Sequence, residues 1–351
     1  MIKKIIYISR TRLDHSLNSA RIKELNKNGV EVIGFYVKSG GIRGLVKTAS
    51  FCLHNSNNID AVMVGFGSPV LVIFSRLFYH KRIVYNAVLT VYERMIISRG
   101  LTPKFSVKAI YYWFTDFMAV HFADLIMVES NQQADYFKKM FKVSGKKLYR
   151  NWIGVEEDRF FYDPLIKKLP VFTVLFRGLF VPESGVEYAI KAAKILEKKE
   201  VNFVIVGSGH CMPVVQKLIS ELKPSNLKII TDTLPQDHLN ELMQSSHLSL
   251  GQLSNHERLS RTIPHKAYES LAIKLPYLTA FNTGILELLT PDETCLTCNP
   301  ADAKSLAEKI LWAKNNYPLV DKIAQNGYQL YQNKLRSHIL VKNLLDRIGE
   351  L

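Results

Sequence analysis

The sequence predicts an α/β protein of two doubly wound halves, each a parallel sheet wrapped by helices. Three observations carry that expectation. The chain has 351 residues, enough for two domains of ordinary size. Short apolar runs alternate with amphipathic segments from end to end, the pattern of strand–helix–strand units. The alternation halts once, between residues 151 and 170, where an acidic Glu156-Glu157-Asp158 run precedes Pro164 and Pro170, and then restarts.

In the first half, apolar runs place strands at 4–9, 30–36, 61–66, 82–85 and 125–128. Helices fill the intervals at 17–28, 44–54, 70–79, 107–122 and 132–141. Gly29 follows the first helix, where a left-handed cap belongs. In the second half, strands are expected at 171–176, 202–206, 227–230, 248–250 and 276–279. Helices are expected at 185–198, 213–222, 236–244, 264–273 and 303–314. After Pro318, residues 319–348 read as mostly helical, long enough to cross back onto the first half. The expected division is 1–160, 161–335 and a C-terminal helix at 336–351. Two such halves facing one another leave a central cleft at the C-terminal edges of their sheets, where doubly wound folds bind ligands.

Composition narrows the function. With 47% hydrophobic and 22% charged residues, the chain can bury a core, which excludes wholesale disorder. The longest charge-free apolar stretch, 61–75, is 15 residues and interrupted by glycine and proline, short of the roughly 20 a spanning helix needs. The N-terminus reads as a first strand without a cleavable signal pattern. Cys52, Cys211, Cys295 and Cys298 are too few and too scattered for a disulfide framework. These features imply a cytoplasmic protein. The net charge of +15 is uneven, because residues 1–165 hold 24 Lys and Arg against 13 Asp and Glu. Clusters at Lys104 and Lys108 and from Lys138 to Arg150 suit an anionic membrane surface or an anionic acceptor. Zinc-finger spacing, single-strand-binding aromatics and a basic-region helix are all lacking, which argues against nucleic acid.

The chemistry-bearing residues lie in the second half. Val206-Gly207-Ser208-Gly209 ends an apolar strand before a helix, where glycines let the backbone approach a phosphate. A full dinucleotide fingerprint and a Walker A loop are both missing, which excludes a dehydrogenase or a P-loop enzyme. Gly178, after Phe176-Arg177, permits close approach at another strand end, and Ser184-Gly185 opens the next helix. Ile263-Pro264-His265-Lys266-Ala267-Tyr268-Glu269 sets Lys266 and Glu269 three apart on one helical face, with Arg258 and Arg261 in the preceding loop. That set fits a pyrophosphate beside a ribose; it equally fits an exposed ion pair worth under about 1 kcal/mol. Asp-x-Asp is absent, so the sequence implies no metal, and Cys295-x-x-Cys298, without a second pair, reads as structural.

The order of these pieces resembles the retaining, nucleotide-sugar-dependent glycosyltransferases of the GT-B fold, with two Rossmann-like domains. The stretches that carry the resemblance are Asn151 to Phe160, Phe176 to Ala193, Val206 to Gly209, and Ile263 to Ala272 followed by Pro276. The fourth is similar to that family's P-x-K-x-x-E-x-L-A-x-x-x-P, and Thr283-Gly284-Ile285-Leu286-Glu287 to its glycine-then-Glu helix. The resemblance is closest over 151–312 and elsewhere rests on architecture and on the 122–130 strand.

The resemblance implies transfer of a sugar, with retention and without metal, from a UDP- or GDP-sugar to a glycan or lipid-linked acceptor. Such an enzyme would be peripheral at the inner face of a membrane and needs no cofactor beyond its donor substrate. It implies that Glu269 binds the donor ribose, that Gly207 and Gly209 approach the nucleotide, and that Gly178 lines the diphosphate pocket. The turn at 232–234 would border the base, and Glu287, a candidate catalytic group with Glu269, would lie near the sugar or its phosphate. On the acceptor side the loop after the fourth strand lacks the family's His, leaving Asn86, Tyr92 and Glu93 as candidate catalytic groups. Arg10 and Arg12, past the first strand, are placed to meet an acceptor phosphate. His121 reads as a packed histidine. Where many members carry a first Glu, an Arg and a Lys, this chain has Arg261, Leu179 and Ser184. Arg258, Arg261 and Lys266 are then expected to supply the missing positive charge. The same departures admit a catalytically silent relative that binds a nucleotide or a partner. A GT-B-shaped sugar-nucleotide epimerase is disfavoured by the Glu- and His-poor loops of the first half.

Overall fold

Strands rich in Val, Ile and Leu and buried on both faces pair in parallel, because helices on either side shield them from water. The computed structural model describes residues 2–38, 41–55, 58–80 and 82–351. The chain divides into two compact units, Met1–Glu156 with Arg336–Leu351, and Glu157–Leu335.

The first unit alternates β1 (Lys4–Ser9), α1 (Ser16–Lys27), β2 (Glu31–Tyr36), α2 (Gly41–His54), β3 (Ala61–Val64), α3 (Pro69–Phe78), β4 (Arg82–Asn86), α4 (Val107–Phe122), β5 (Leu125–Val128), α5 (Asn131–Phe141) and β6 (Leu148–Arg150). Its strands form one parallel sheet in the order β2-β1-β3-β4-β5-β6. The chain reverses its direction of travel between β1 and β3, the switch point at which doubly wound sheets bind ligands. One face of the sheet packs on Cys52, Leu71, Val72, Ala119, Val120 and Phe137 of α2 to α5.

The second unit runs β7 (Phe172–Arg177), α6 (Val186–Ile195), β8 (Val201–Val206), α7 (Met212–Leu222), β9 (Leu227–Ile230), α8 (Gln236–Ser245), β10 (Leu248–Leu250), α9 (His265–Ala272), β11 (Tyr277–Ala280), β12 (Leu296–Cys298), α10 (Ala303–Asn315) and α11 (Tyr317–Leu330). Its sheet order is β12-β11-β10-β7-β8-β9, all parallel, with the switch point between β7 and β10. A π-helical turn at Tyr331–Leu335 then leads to α12 (Ser337–Gly349). Val341, Leu344 and Ile348 of α12 pack with Leu25 of α1 and with Ile5 and Tyr7 against the other face of the first unit's sheet.

Two strands escaped the sequence reading. β6 lies inside the basic stretch 138–150, where lysines mask a three-residue strand. β12 carries Cys298, and Cys295 bridges just before it; both are buried, and burial pushes each thiol up to about 12. The loop expected after β4 contains a π-helical turn at Glu93–Ser98. His121, expected to pack inside, faces solvent with Nδ1 2.8 Å from the Phe117 carbonyl, because the core side of α4 is taken by Ala119 and Val120.

Candidate functional site

The second unit gathers its functional groups at the C-terminal edge of its sheet, around the switch point. β7 ends in Arg177-Gly178 and β8 in Gly207, and the two loops run on side by side. Gly178 N–H donates to the Val206 carbonyl (3.0 Å), and Phe180 N–H to that of Ser208 (2.9 Å). Gly178 and Gly207 both have positive φ (130° and 147°), and a Cβ on Gly207 would run into the Gly178 carbonyl. Glycine at 207 is thus a requirement of close loop contact as well as of backbone conformation. Gly209 (φ 152°) is packed against the Phe180 backbone in the same way.

α9 points its N-terminal end at this edge. Pro264 has extended geometry and serves as the N-cap, so the helix starts one residue later than the sequence suggested. All residues from Lys266 to Ala272 are buried. Glu269 does not pair with Lys266. Its Oε2 accepts from the Arg177 guanidinium, and its Oε1 lies 3.3 Å from His265 Nδ1, one turn earlier. Lys266 turns instead to the sheet: its Nζ donates to the Gly251 carbonyl just past β10 (2.9 Å) and sits 3.9 Å from the centroid of the Phe176 ring. Neither residue belongs to an exposed ion pair, since Lys266 and Glu269 are 8% and 5% exposed.

Burial sets the electrostatics of this cluster. Desolvation, reinforced by Arg177, pushes the Lys266 ammonium well below its ordinary value, and desolvation lowers Arg177 to about 10. Burial thus disfavours the charged forms of Lys266 and Arg177 beside the Glu269 carboxylate, the kind of perturbation that marks a candidate functional site. Beside them a short 3-10 turn, Glu257–Ser260, carries Arg258, whose guanidinium lies 3.8 Å from the buried Glu183 carboxylate. Arg261 is also buried and reaches toward the Glu257 carbonyl (3.5 Å). Glu287 ends the 3-10 turn Ile285–Glu287. That turn is anchored to the Arg258–Arg261 loop, because Gly284 packs on Leu259 and Thr262 and Thr283 Oγ1 donates to the Ser260 carbonyl (2.8 Å). Asp232 and Thr233 of the turn expected to border a base are exposed.

In the first unit, Arg10 and Arg12 follow β1 at that sheet's own switch point. Arg10 is held through its N–H to Ser68 Oγ (2.9 Å), and it lines a cavity with Arg94, Tyr111, Tyr112 and Thr115. The Arg12 guanidinium is exposed and paired with Asp14, so an acceptor would have to displace that carboxylate. Asn86 ends β4 and is buried, and its Oδ1 has no hydrogen-bond partner among the described residues. Glu93 is fully buried and accepts from Gln133 Nε2 (2.8 Å), and the Tyr92 N–H donates to Asp116 (2.7 Å). Burial pushes the Asp116 carboxyl up to about 7.

Residues 162–330 match the model of a protein family described as Glycosyl transferases group 1. Residues 162–330 thus carry a glycosyltransferase domain. Solved structures of similar fold span nearly the whole chain. HepE of Anabaena in complex with UDP-glucose is 15% identical, with a TM-score of 0.77, over 99% of this chain and 100% of its own. Sucrose-phosphate synthase of Thermosynechococcus elongatus is 13% identical, with a TM-score of 0.79, over 99% and 98%. A glycosyltransferase of Rickettsia africae is 14% identical, with a TM-score of 0.71, over 99% and 98%. At these identities the likeness is one of fold, and the fold is GT-B. No curated protein matches the sequence significantly.

Three residues of the cluster around Glu269 and Arg258 were not singled out from the sequence. Arg177 is the lone cation at the end of an otherwise apolar strand, which is the signal that could have found it. His265 precedes Glu269 by four residues, the spacing of a helical pair. Glu183 sits between Pro182 and Gly185 and gives no sign in the sequence that its carboxylate is buried against Arg258.

Proposed function

We propose that the protein transfers a sugar from a nucleoside-diphosphate donor to a glycan or lipid-linked acceptor, with retention of anomeric configuration and without a divalent metal. The observation that carries this reading is Glu269 locked between Arg177 and His265 at the switch point of the second sheet, beside the buried Lys266. A carboxylate has about four acceptor positions. Arg177 and His265 engage one oxygen each and orient the group, which leaves lone pairs for the two hydroxyls of a ribose. Lys266, Arg258 and Arg261 are the cations for the diphosphate. Charge that develops on the departing phosphate is met by groups already fixed in place, so little reorganisation opposes the transition state. Gly178, Gly207 and Gly209 let the backbone approach the nucleotide, and Glu287 is assigned to the sugar. In the first unit, Arg10 and Arg12 are assigned to the acceptor and Asn86 to the reacting hydroxyl. The enzyme would act as a peripheral protein at the cytoplasmic face of a membrane, in glycan or polysaccharide assembly.

UDP is the first donor to test, because the HepE structures hold UDP and UDP-glucose. A thermal-shift screen against UDP, GDP, ADP, CMP and their sugar conjugates should give a shift with one nucleotide. A ligand at about 100 times its dissociation constant contributes about 2.7 kcal/mol, which is readily seen. The shift should vanish in Glu269→Gln. No shift with any nucleotide would favour a catalytically silent relative.

A further inference from the structure

The first unit carries an apolar surface where a helix normally presents its polar one. In α4 the residues Val107, Ile110, Tyr111 and Phe114, spaced i, i+3, i+4, i+7, all face solvent, and Phe105 before the helix is 98% exposed. The buried side of the same helix holds Ala109, Thr115 and Asp116. α2 repeats the inversion: Ile42, Val46 and Leu53 are exposed, whereas Gly44, Thr48 and Cys52 are buried. The two helices lie on either side of α3, and Gly41, Gly44 and Leu45 of α2 line one cavity with Val70 and Leu71 of α3 and Tyr111 of α4. Single exposed apolar residues need no explanation, but an apolar stripe along one helix, repeated on a second helix of the same layer, marks a docking surface.

Charge identifies the occupant. Residues 32–115 contain ten Lys and Arg and only two acidic residues, Asp60 and Glu93. Asp60 accepts from the backbone N–H groups of Lys3 and Lys4, and Glu93 is fully buried. Lys104 and Lys108 flank the α4 stripe, and Arg43 and Lys47 flank the α2 stripe. The other basic cluster is differently employed: Lys138 pairs with Asp135, Lys147 donates to the His121 and Ala123 carbonyls, and Arg150 stacks on Trp152. We infer that the α2–α4 face of the first unit docks on an anionic lipid surface, with Phe105, Val107, Ile110 and Phe114 entering the interface and the four cations meeting phosphate headgroups. Apolar side chains rimmed by Lys and Arg are the pattern of interfacial helices. A second copy is disfavoured as the occupant, because a two-fold contact would set this cationic face against itself. The inference deepens the lipid-linked-acceptor part of the function proposed above and places that acceptor beside Arg10, which lines the same cavity.

The test is co-sedimentation of the full chain with vesicles of phosphatidylcholine alone or mixed with phosphatidylglycerol. Binding should require phosphatidylglycerol and weaken as sodium chloride is raised. Lys104→Glu with Lys108→Glu, and separately Phe105→Ser with Ile110→Ser, should each reduce binding about tenfold or more. A nucleotide-induced thermal shift equal to that of the parent chain shows that each variant is folded and keeps its donor site. If no nucleotide shifts the parent chain, unchanged circular dichroism and melting temperature replace that control; vesicle binding lost in both variants would then uphold this surface while the donor reading fails. Equal binding to neutral and anionic vesicles, or none to either, would overturn the inference. So would a dimer, seen in gel filtration, that the Phe105→Ser and Ile110→Ser changes dissolve while vesicle binding persists. Retention of a polyanion such as heparin without any vesicle binding would overturn it in favour of a different partner.

Discussion

Glu269 shows how much of a site's chemistry lies in one side chain's partners. A carboxylate on an exposed helix face would be a solvated charge. At 5% exposure it persists because Arg177 and His265 engage it. Removing one member of a buried pair leaves the other charged and unsolvated, at a cost of about 3–5 kcal/mol, whereas replacing both by apolar groups is nearly neutral. Glu269→Ala should therefore destabilise the protein by about that amount, and the double change Arg177→Met with Glu269→Leu should recover most of the loss. Denaturant titration of Glu269→Ala, of the single changes Arg177→Met and Glu269→Leu and of their combination measures this, and additive effects of the two single changes in the combination would refute the coupling. Nucleotide binding should be absent from the double variant even though its stability returns, which separates the residues' role in the site from their role in the fold.

At the scale of elements, the site is a property of loop apposition. The β7 and β8 loops are bonded to one another through Gly178, Phe180 and Ser208, and they can be so only while positions 207 and 209 lack side chains. Gly207→Ala combines a strained φ with a blocked approach, and should cost at least about 2 kcal/mol. The loss should fall on donor binding as well, because the same displacement moves Arg177 and Gly178. A melting temperature within one degree of the parent would show that the loops part without penalty. α9 belongs to this scale too: its burial on every side, with Ser270 Oγ donating to the Lys266 carbonyl (2.7 Å) and lying 3.0 Å from Ser249 Oγ, fixes Lys266 and Glu269 against the sheet.

For the molecule as a whole, stability against pH carries opposing contributions from the two units. Asp116 in the first has its carboxyl raised by burial from the ordinary 3.8 to about 7. The folded state thus holds that proton more tightly than the unfolded one, so its contribution is full below about pH 4 and is lost as pH rises to about 7. His247 in the second is lowered by burial, and secondarily by Lys168, from 6.5 to about 4. Its Nδ1 accepts from the Thr173 N–H (3.0 Å), and its contribution is full above 6.5 and lost as pH falls to about 4. Scanning calorimetry between pH 4 and 7 should show the melting temperature of Asp116→Asn gaining on the parent as pH rises. His247→Phe should lose ground to it over the same range. A constant offset in either variant would mean that the group does not titrate as its surroundings require.

How much of this could be read from the sequence differs between fold and site. Alternating apolar runs announced ten of the twelve strands among the described residues, because parallel strands buried on both faces must be continuously apolar. β6 and β12 were hidden because three residues, one of them Arg150 and another Thr297, cannot assert a pattern. Glycine spacing and the Pro264-to-Glu269 stretch pointed to one sheet edge, and the fold brings those segments together there. What the sequence could not supply was partnership. It placed Lys266 beside Glu269, three residues apart, whereas the fold gives Glu269 to Arg177, 92 residues away, and Lys266 to the Gly251 carbonyl. Periodicity reports which residues share a face of one element, and on that the sequence was sufficient. Charge pairing depends on which strand ends meet at the switch point, and that is decided only when sheet order is set by the packing of whole elements.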